Sequence, residues 1–565
     1  MENRSYRSAF LGVSNAYQLT KSLISGRLFS LPSDLSPGAT SHTKKITQER
    51  RKRPKNLRDQ FVTFGTTVAT ATSTREVYRC GMSIGGMLPD NILLEIFDFY
   101  RTDHGYAYRG KISVWRWHLL VHVCRRWRQV IFESPQRLEL QIFCTNKTPV
   151  RKNLGVWPAF PIDIRYGYPG RSRPRGESNV IAALRHPDRV RSVTFDLSGA
   201  RLGKIVSVMH GPFPVLTHLD ISSRNGYAPV LPAGFLGMPG STPRLRTVNF
   251  YGVSFPALPK LLLTASDLVE LSLRQIPPSG YIAPEAMASS LAALPRLEIF
   301  CIMFTFATPR PNRIRPPVPI TRTVLPALTS FGFRGTSEYL EHLVAHFDAP
   351  QLDCIRINYL NQLVDFQVAQ LFKFIDRSAG SELALFRHAD VQFFSSEVAL
   401  WHSNGGYLAR KSGSARISIS CKEIDWQVSH MAQVLSHFSV TLSAVVHLNL
   451  VHLYPETLDF HNFQLRGMDH VEWQHLLRQF STVRTLRVDS KLAPHVAIAL
   501  EDITMEMAAE VLPSLDLIHL GARFRSQPAL SIKKFVDVCR LSGRPVTVIG
   551  TRTELEERRK SYVGK

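Results

Sequence analysis

Cysteine is scarce in this 565-residue chain. The seven stand at Cys80, Cys124, Cys144, Cys301, Cys354, Cys421 and Cys539, an odd number with no C-x-x-C pair. Such spacing argues against a disulfide scaffold and against zinc held by paired cysteines, and it suits isolated thiols in a reducing compartment. Acidic residues are also few, 45 Asp and Glu against 69 Lys and Arg, for a formal net charge of +24. Long apolar runs are missing: the one around Phe255 to Leu263 is broken by Pro256, Pro259 and Lys260, and no 18 consecutive apolar residues occur. Neither a transmembrane helix nor a membrane partner is expected. The G-x-x-x-x-G-K-[ST] loop, a G-x-G-x-x-G after a strand and the G-x-S-x-G elbow are absent as well, which leaves phosphate-cradling and serine-nucleophile chemistry without an anchor. His118 and His122 lie four apart, but the glutamate of H-E-x-x-H and a third ligand are lacking, so they read as surface histidines. The expectation is a chain with no catalytic residue, no metal and no cofactor.

What is present points to a globular protein. Hydrophobic residues make up 44% and charged residues 20%, a balance that favours a buried core over disorder. The length predicts three to four domains, or one short module followed by a long repeat array. Residues 1–86 hold no sustained hydrophobic period and are rich in Ser, Thr, Gly and Pro, so they are expected to form a disordered basic arm. Within it, Lys44 to Arg58 carries eight basic residues against Glu49. Arg50, Arg51, Lys52, Arg53 and Lys55 are the candidate nuclear localisation signal, or an electrostatic tether. A cytoplasmic or nuclear location, or both, follows as the expectation.

The texture changes at residue 87. Pro89 and Asp90 suit the first turn of a helix, where proline has no amide to lose and the acid meets the positive end of the macrodipole. Ile92, Leu93, Ile96, Phe97 and Tyr100 follow at three- and four-residue spacing, predicting an amphipathic helix that ends near RTDHG. A second helix is predicted over 113–132, with Trp117, Leu120, Val121, Cys124, Trp127, Val130 and Ile131 on apolar faces. A module of about fifty residues cannot bury so much apolar surface by itself.

These two segments, LPDNILLEIFDFY and the W-x-x-L-V-H-V-C-R-R-W-R-Q-V-I-F-x-S-P stretch, resemble an F-box, and their continuation to residue 168 is similar to the F-box-like proteins abundant in mushroom-forming fungi. The connection RTDHGYAYRGKISVWR is longer than the family's compact loop. The resemblance implies docking on a Skp-family adaptor, and through it on a cullin scaffold and a ubiquitin-conjugating enzyme. It also implies that Leu88, Pro89, Ile92, Leu93, Ile96, Phe97, Val123 and Cys124 face the adaptor. Trp127 is assigned to holding the helices together, since an aromatic of its size dominates a small core.

From Arg189 onward a repeat emerges, of the form P-x-L-x-x-L-x-L. Aligned on Leu216, Leu245, Leu268, Leu297, Leu328 and Leu352, the steps are 29, 23, 29, 31 and 24 residues, within or just beyond the leucine-rich-repeat range. Copies recur from Ala444, Ser481 and Leu512, with helical patterns such as EYLEHLVAHF and VAQLFKFIDR between strands. The asparagine or cysteine that ends the strict motif is mostly missing, so the repeat is degenerate. The expected fold is therefore α/β: a helical module over 87–140, a connecting segment over 141–188, an irregular leucine-rich-repeat solenoid over 189–550 and a charged tail over 551–565. The pattern fades over Leu383 to Ser420, where repeats cannot be counted. Cys301 and Cys354 are read as small hydrophobes in apolar strands, and His218 and His447 as turn or edge residues.

Two functions compete at this point. One is a non-catalytic substrate receptor whose repeats select a protein for ubiquitination. The other is a nuclear scaffold or nucleic-acid-associated protein that uses the basic arm, with the helical module packed internally. No zinc finger, basic zipper or RNA-recognition signature accompanies the charge, so nucleic acid is the less expected partner. The sequence also places no arginine cluster that would mark an acidic or phosphorylated target.

Overall fold

The computed structural model describes residues 88–103, 117–145, 150–167, 176–223, 228–236, 242–307, 322–360, 368–378, 387–403, 414–421, 424–438, 442–453, 470–521 and 527–551. The basic cluster at 50–55 lies outside them, as do the arm and residues 552–565. The chain divides into two compact units, Met1–Leu140 and Gln141–Lys565.

The first unit holds helices α1 (Asp90–Asp103), α2 (Trp117–Leu120) and α3 (Arg125–Glu133). Pro89 opens α1 through its carbonyl, which accepts the amides of Ile92 and Leu93. The single helix expected over 113–132 is in fact two. Cys124 is extended, with φ −155°, and its sulfur accepts the Trp127 amide at 3.4 Å as the N-cap of α3. Arg128 closes the same break by donating Nε to the Val121 carbonyl at 3.0 Å. A capping side chain supplies an acceptor to the orphan N–H donors of a helix start, so this cysteine ends one helix by starting another. Leu93, Phe97, Trp127, Val130 and Ile131 are buried. The Phe97 and Trp127 rings meet edge-on at 4.9 Å.

The second unit is built on one 16-stranded sheet among the described residues. Its strands are β1 (Ile142–Cys144), β2 (Ile162–Tyr166), β3 (Val190–Asp196), β4 (His218–Ser222), β5 (Thr247–Tyr251), β6 (Glu270–Ile276), β7 (Ile299–Phe304), β9 (Ser330–Gly335), β11 (Cys354–Tyr359), β12 (His388–Phe393), β13 (Glu397–Ser403), β14 (Ser414–Ser420), β15 (His447–His452), β16 (Thr485–Val488), β17 (Leu517–Gly521) and β18 (Thr547–Thr551). A separate parallel pair joins β8 (Thr323–Val324) to β10 (Phe347–Asp348). Strands β1 and β2 pair in parallel with each other and with β3. The connecting segment expected over 141–188 is thus part of the array. It was illegible because neither strand is preceded by the P-x-L turn.

Each repeat buries three positions. Leu216, Leu219 and Ile221 form one set, Leu268, Leu271 and Leu273 another, and Leu328, Phe331 and Phe333 a third, all nearly inaccessible. The first residue tucks under the turn and the next two point inward from the strand, as the period of two requires. Burying a side chain of this size stabilises by about 1.5–3 kcal/mol, and stacking shares the gain between neighbours, because no unit can cover its own face. Helices α4 (Ser337–Val344) and α5 (Ala369–Ser378) lie where the sequence places helical patterns. Glu341 of α4 is buried and accepts the amides of Gln370 at 2.7 Å and Leu371 at 2.9 Å, so it caps α5 from the preceding unit. Phe331, Phe347 and Phe374 form an edge-to-face cluster with centroids 5.1 to 6.0 Å apart.

The unpatterned stretch is an antiparallel meander. Strand β13 pairs antiparallel with both β12 and β14, whereas β14 joins β11 and β12 joins β15 in parallel. The spatial order there is β11-β14-β13-β12-β15. The chain passes two strand positions after α5, then winds back to fill them.

Candidate interaction surfaces

In the helical unit the motif residues split between core and surface. Leu93 and Phe97 are buried, which removes them from the side chains able to meet a partner. Ile96 is half-buried and Leu88 partly so. Pro89, Ile92, Val123 and Cys124 are exposed, Ile92 at 40% and Val123 at 46%. Phe99, on the same helix as Ile92, is exposed too. Arg126 ties the two segments together: its Nη2 donates to the Leu88 carbonyl at 2.5 Å and to Asp90 Oδ1 at 2.8 Å. The side chain of His118 is outside the described residues, and His122 is exposed.

In the array, the face opposite the leucines is polar. Parallel sheets are usually covered on both sides, yet here the alternate residues of most strands are half-buried or exposed. Strand register aligns them in rows. One runs Arg165, Thr194, Asp220, Asn249, Ser272, Cys301, Gly332, Arg356, Arg416, Trp401, Asp390 and Asn449. Cys301 and Cys354 therefore belong to the polar face rather than to the leucine-bearing one. His218 and His447 are likewise strand residues of this face, and His447 stacks on His388 with centroids 4.6 Å apart.

Near the middle of the sheet, four arginines come from β6, β9, β11 and β14, with β7 between the first two. Arg356 and Arg416 sit side by side on β11 and β14, Arg334 pairs across from Asn358, and Arg274 ends the regular part of β6. A register shift follows Leu273, where Gln275 takes φ +50°, and both Arg274 and Gln275 are exposed. A bulge of this kind re-aims side chains at the cost of local strain. Arg416 is partnered: it donates to Glu397 at 2.8 Å and lies 5.3 Å over the Trp401 ring. Glu397 also accepts Asn358 Nδ2 at 3.0 Å. Arg334 Nε is buried with no acceptor among the described residues. Burial pushes the Cys301 thiol up from its ordinary value, opposed by the Arg274 charge, hydrogen bonds from Arg274 and Ser272, and the Arg356 charge. Such a thiol is a poor nucleophile.

The arginine cluster is what the sequence reading missed. Its signal was an arginine directly following a buried residue in three of the repeats, Leu273-Arg274, Phe333-Arg334 and Ile355-Arg356. Among the described residues no group of His, Cys, Asp and Glu could hold a metal ion, and no helix is long and apolar enough to cross a membrane.

No family profile matches the chain, and no curated protein matches it. Among solved structures, the leucine-rich repeat-containing protein LegL7 from Legionella pneumophila aligns at 12% identity, covering 70% of this chain and 97% of that one, with a TM-score of 0.22. The class defined here, a mixed α/β array of degenerate leucine-rich repeats, rests on the strand register and its buried L-x-x-L-x-L positions.

Proposed function

We infer that the protein is a non-catalytic substrate receptor, in which the helical unit docks on a Skp-family adaptor and the repeat array binds a protein target. The observation that carries this reading is the exposure of Ile92 and Val123 at the two F-box-like motifs, while Phe97 and Trp127 hold those motifs together. Apolar side chains left at the surface by a small module lose water when a partner covers them. The adaptor would tie the chain to a cullin and a ubiquitin-conjugating enzyme, and transfer to the target would follow from proximity, since tethering raises effective concentration without an active site here.

The test uses the full-length protein and a purified Skp-family adaptor. Wild type is expected to be captured, with little change as salt is raised, because apolar contacts are not screened. The double change Ile92→Glu with Val123→Glu is expected to weaken capture by about tenfold or more, through desolvation of the new charges, with the circular dichroism spectrum unchanged. Failure of a folded wild type to bind would overturn the reading.

A further inference from the structure

We propose that β18 is the contact of a symmetric dimer, in which the last strand of the array pairs antiparallel with β18 of a second copy of this chain. The inference does not rest on the receptor reading.

The two borders of the sheet differ. Its terminal strands are β1 and β18. All three residues of β1 are buried, so that border presents little to a partner. Thr547, Val548 and Ile549 of β18 are exposed, the last two at 41% and 42%. Val548 is the register partner of Ile518, which is 1% exposed. It therefore stands at a position that is core in the preceding unit and that no further unit covers here. Repeat arrays normally end in a polar outer face, and open edge strands are normally guarded by charge, proline or a bulge. The sequence Thr-Val-Ile-Gly-Thr has no charged residue and no proline, and it pairs with β17 without a register shift.

Backbone direction is the second argument. Thr547 donates its amide to the Asp516 carbonyl at 2.9 Å. By the alternation of a strand, Ile549 and Thr551 turn the same way, toward β17, while Val548 and Gly550 aim their amides and carbonyls at the free side. Among the described residues β17 is the one strand beside β18.

Self-complementarity selects the occupant. A twofold axis at Ile549 sets Thr547 against Thr551, Val548 against Gly550, and Ile549 against its own counterpart. The two free-side residues then face each other as hydrogen-bonded pairs, and Ile549 falls at the non-hydrogen-bonded pair, where side chains are closest. That apolar pair loses water on both partners. Within the strand no charge meets its like, which matters for two copies of a chain with net charge +24. Residues 552–565 are the rival occupant. They carry eight charged side chains and no Gly, Pro, Asn or Asp before Gly564, so their sequence holds no strong turn signal for a return onto β18. With β1 buried, each chain offers one border, and an isologous pair closes at two copies instead of growing into a fibre. Such a dimer would present two repeat arrays to a target, with the avidity that bivalence confers.

The experiment is sedimentation velocity on the full-length protein at about 0.15 M salt and about 10 μM chain. Wild type is expected to sediment with twice the mass of one chain. Ile549→Lys sets like charges opposite each other across the axis and should weaken the dimer by about tenfold or more. Leu263→Lys, the same charge change at another exposed apolar position, should leave it intact. Register is read by cross-linking under air, against wild type as the background for the native thiols. Ile549→Cys should form a covalent dimer, because its counterpart lies about 4.5 Å away between Cα atoms. Thr547→Cys should not, because it faces Thr551. A monomeric wild type would overturn the proposal. So would an Ile549→Lys protein that melts like wild type and stays dimeric, or cross-linking of Thr547→Cys as readily as of Ile549→Cys.

Discussion

The run from β1 to β11, leaving aside the separate β8–β10 pair, and the meander of β12 to β14 occupy the same sheet but obey different connection rules. In the first, each strand lies parallel to the last, so the chain must return across the leucine-bearing side before the next strand begins, often through a helix. In the second, antiparallel neighbours need no crossover, and the chain turns back directly between β12 and β13 through Phe394 to Ser396. A repeat of crossovers imposes a recurring sequence length, whereas a hairpin imposes none. That is why a period is visible over residues 190–359 and vanishes over 383–420.

The comparison can be broken most severely in the parallel run. Phe331→Ala removes a ring that stacks on Phe300 and meets Phe347 and Phe374, and should destabilise by about 3–5 kcal/mol. Because units couple to their nearest neighbours, hydrogen exchange should accelerate first in β7, β9 and β11, while β16 to β18 keep their protection. Uniform acceleration across the whole sheet would show that the meander transmits cooperativity rather than interrupting it.

A smaller effect is expected where the two regions join. Glu341→Ala takes away the acceptor of two amides at the start of α5, the helix that leads into β12, and should cost about 1–3 kcal/mol. Chemical denaturation followed by exchange at Gln370 and Leu371 checks it.

The smallest effect is a pH dependence. His447 on β15, stacked on His388 of β12, is held below its ordinary value of 6.5 by burial and by His388, Arg487 and Arg387. His218, His342 and His495 are lowered as well, each chiefly by burial. The unfolded chain therefore binds more protons once pH falls below 6.5, so stability present above that value is lost as pH descends through the folded values. Asp163, raised by burial, acts in the opposite sense. The melting temperature should be lower at about pH 5.5 than at about pH 7.5, and His447→Leu should flatten part of that slope.

Legibility in the sequence followed the same division. The strands anchored on Leu216 through Leu352, and those after Ala444, Ser481 and Leu512, were readable because burial demands the same apolar spacing each time. Strands β1 and β2 were not, since IFC and IDIRY carry apolar residues without the turn leucine that signals a new unit. In the helical unit, Trp127 was readable as a core residue from its size. The break before it was not, because a cysteine acting as an N-cap resembles a cysteine on an apolar helix face. The open-face arginines were hidden for a different reason: polar residues between leucines look like any solvent-facing position until register brings those of separate repeats together.

The reversed strand order has a consequence for synthesis of the chain. When β11 emerges from the ribosome, its free edge cannot take the next strand made, because the partner that completes it, β14, follows β12 and β13. At about 5–20 residues per second, that edge, Cys354 to Tyr359, waits several seconds with a row of unpaired amides and carbonyls. The nascent protein passes through a stage in which most of the nine parallel strands from β1 to β11 can be complete while their newest border is open to any extended segment nearby, including the same strand of a neighbouring chain.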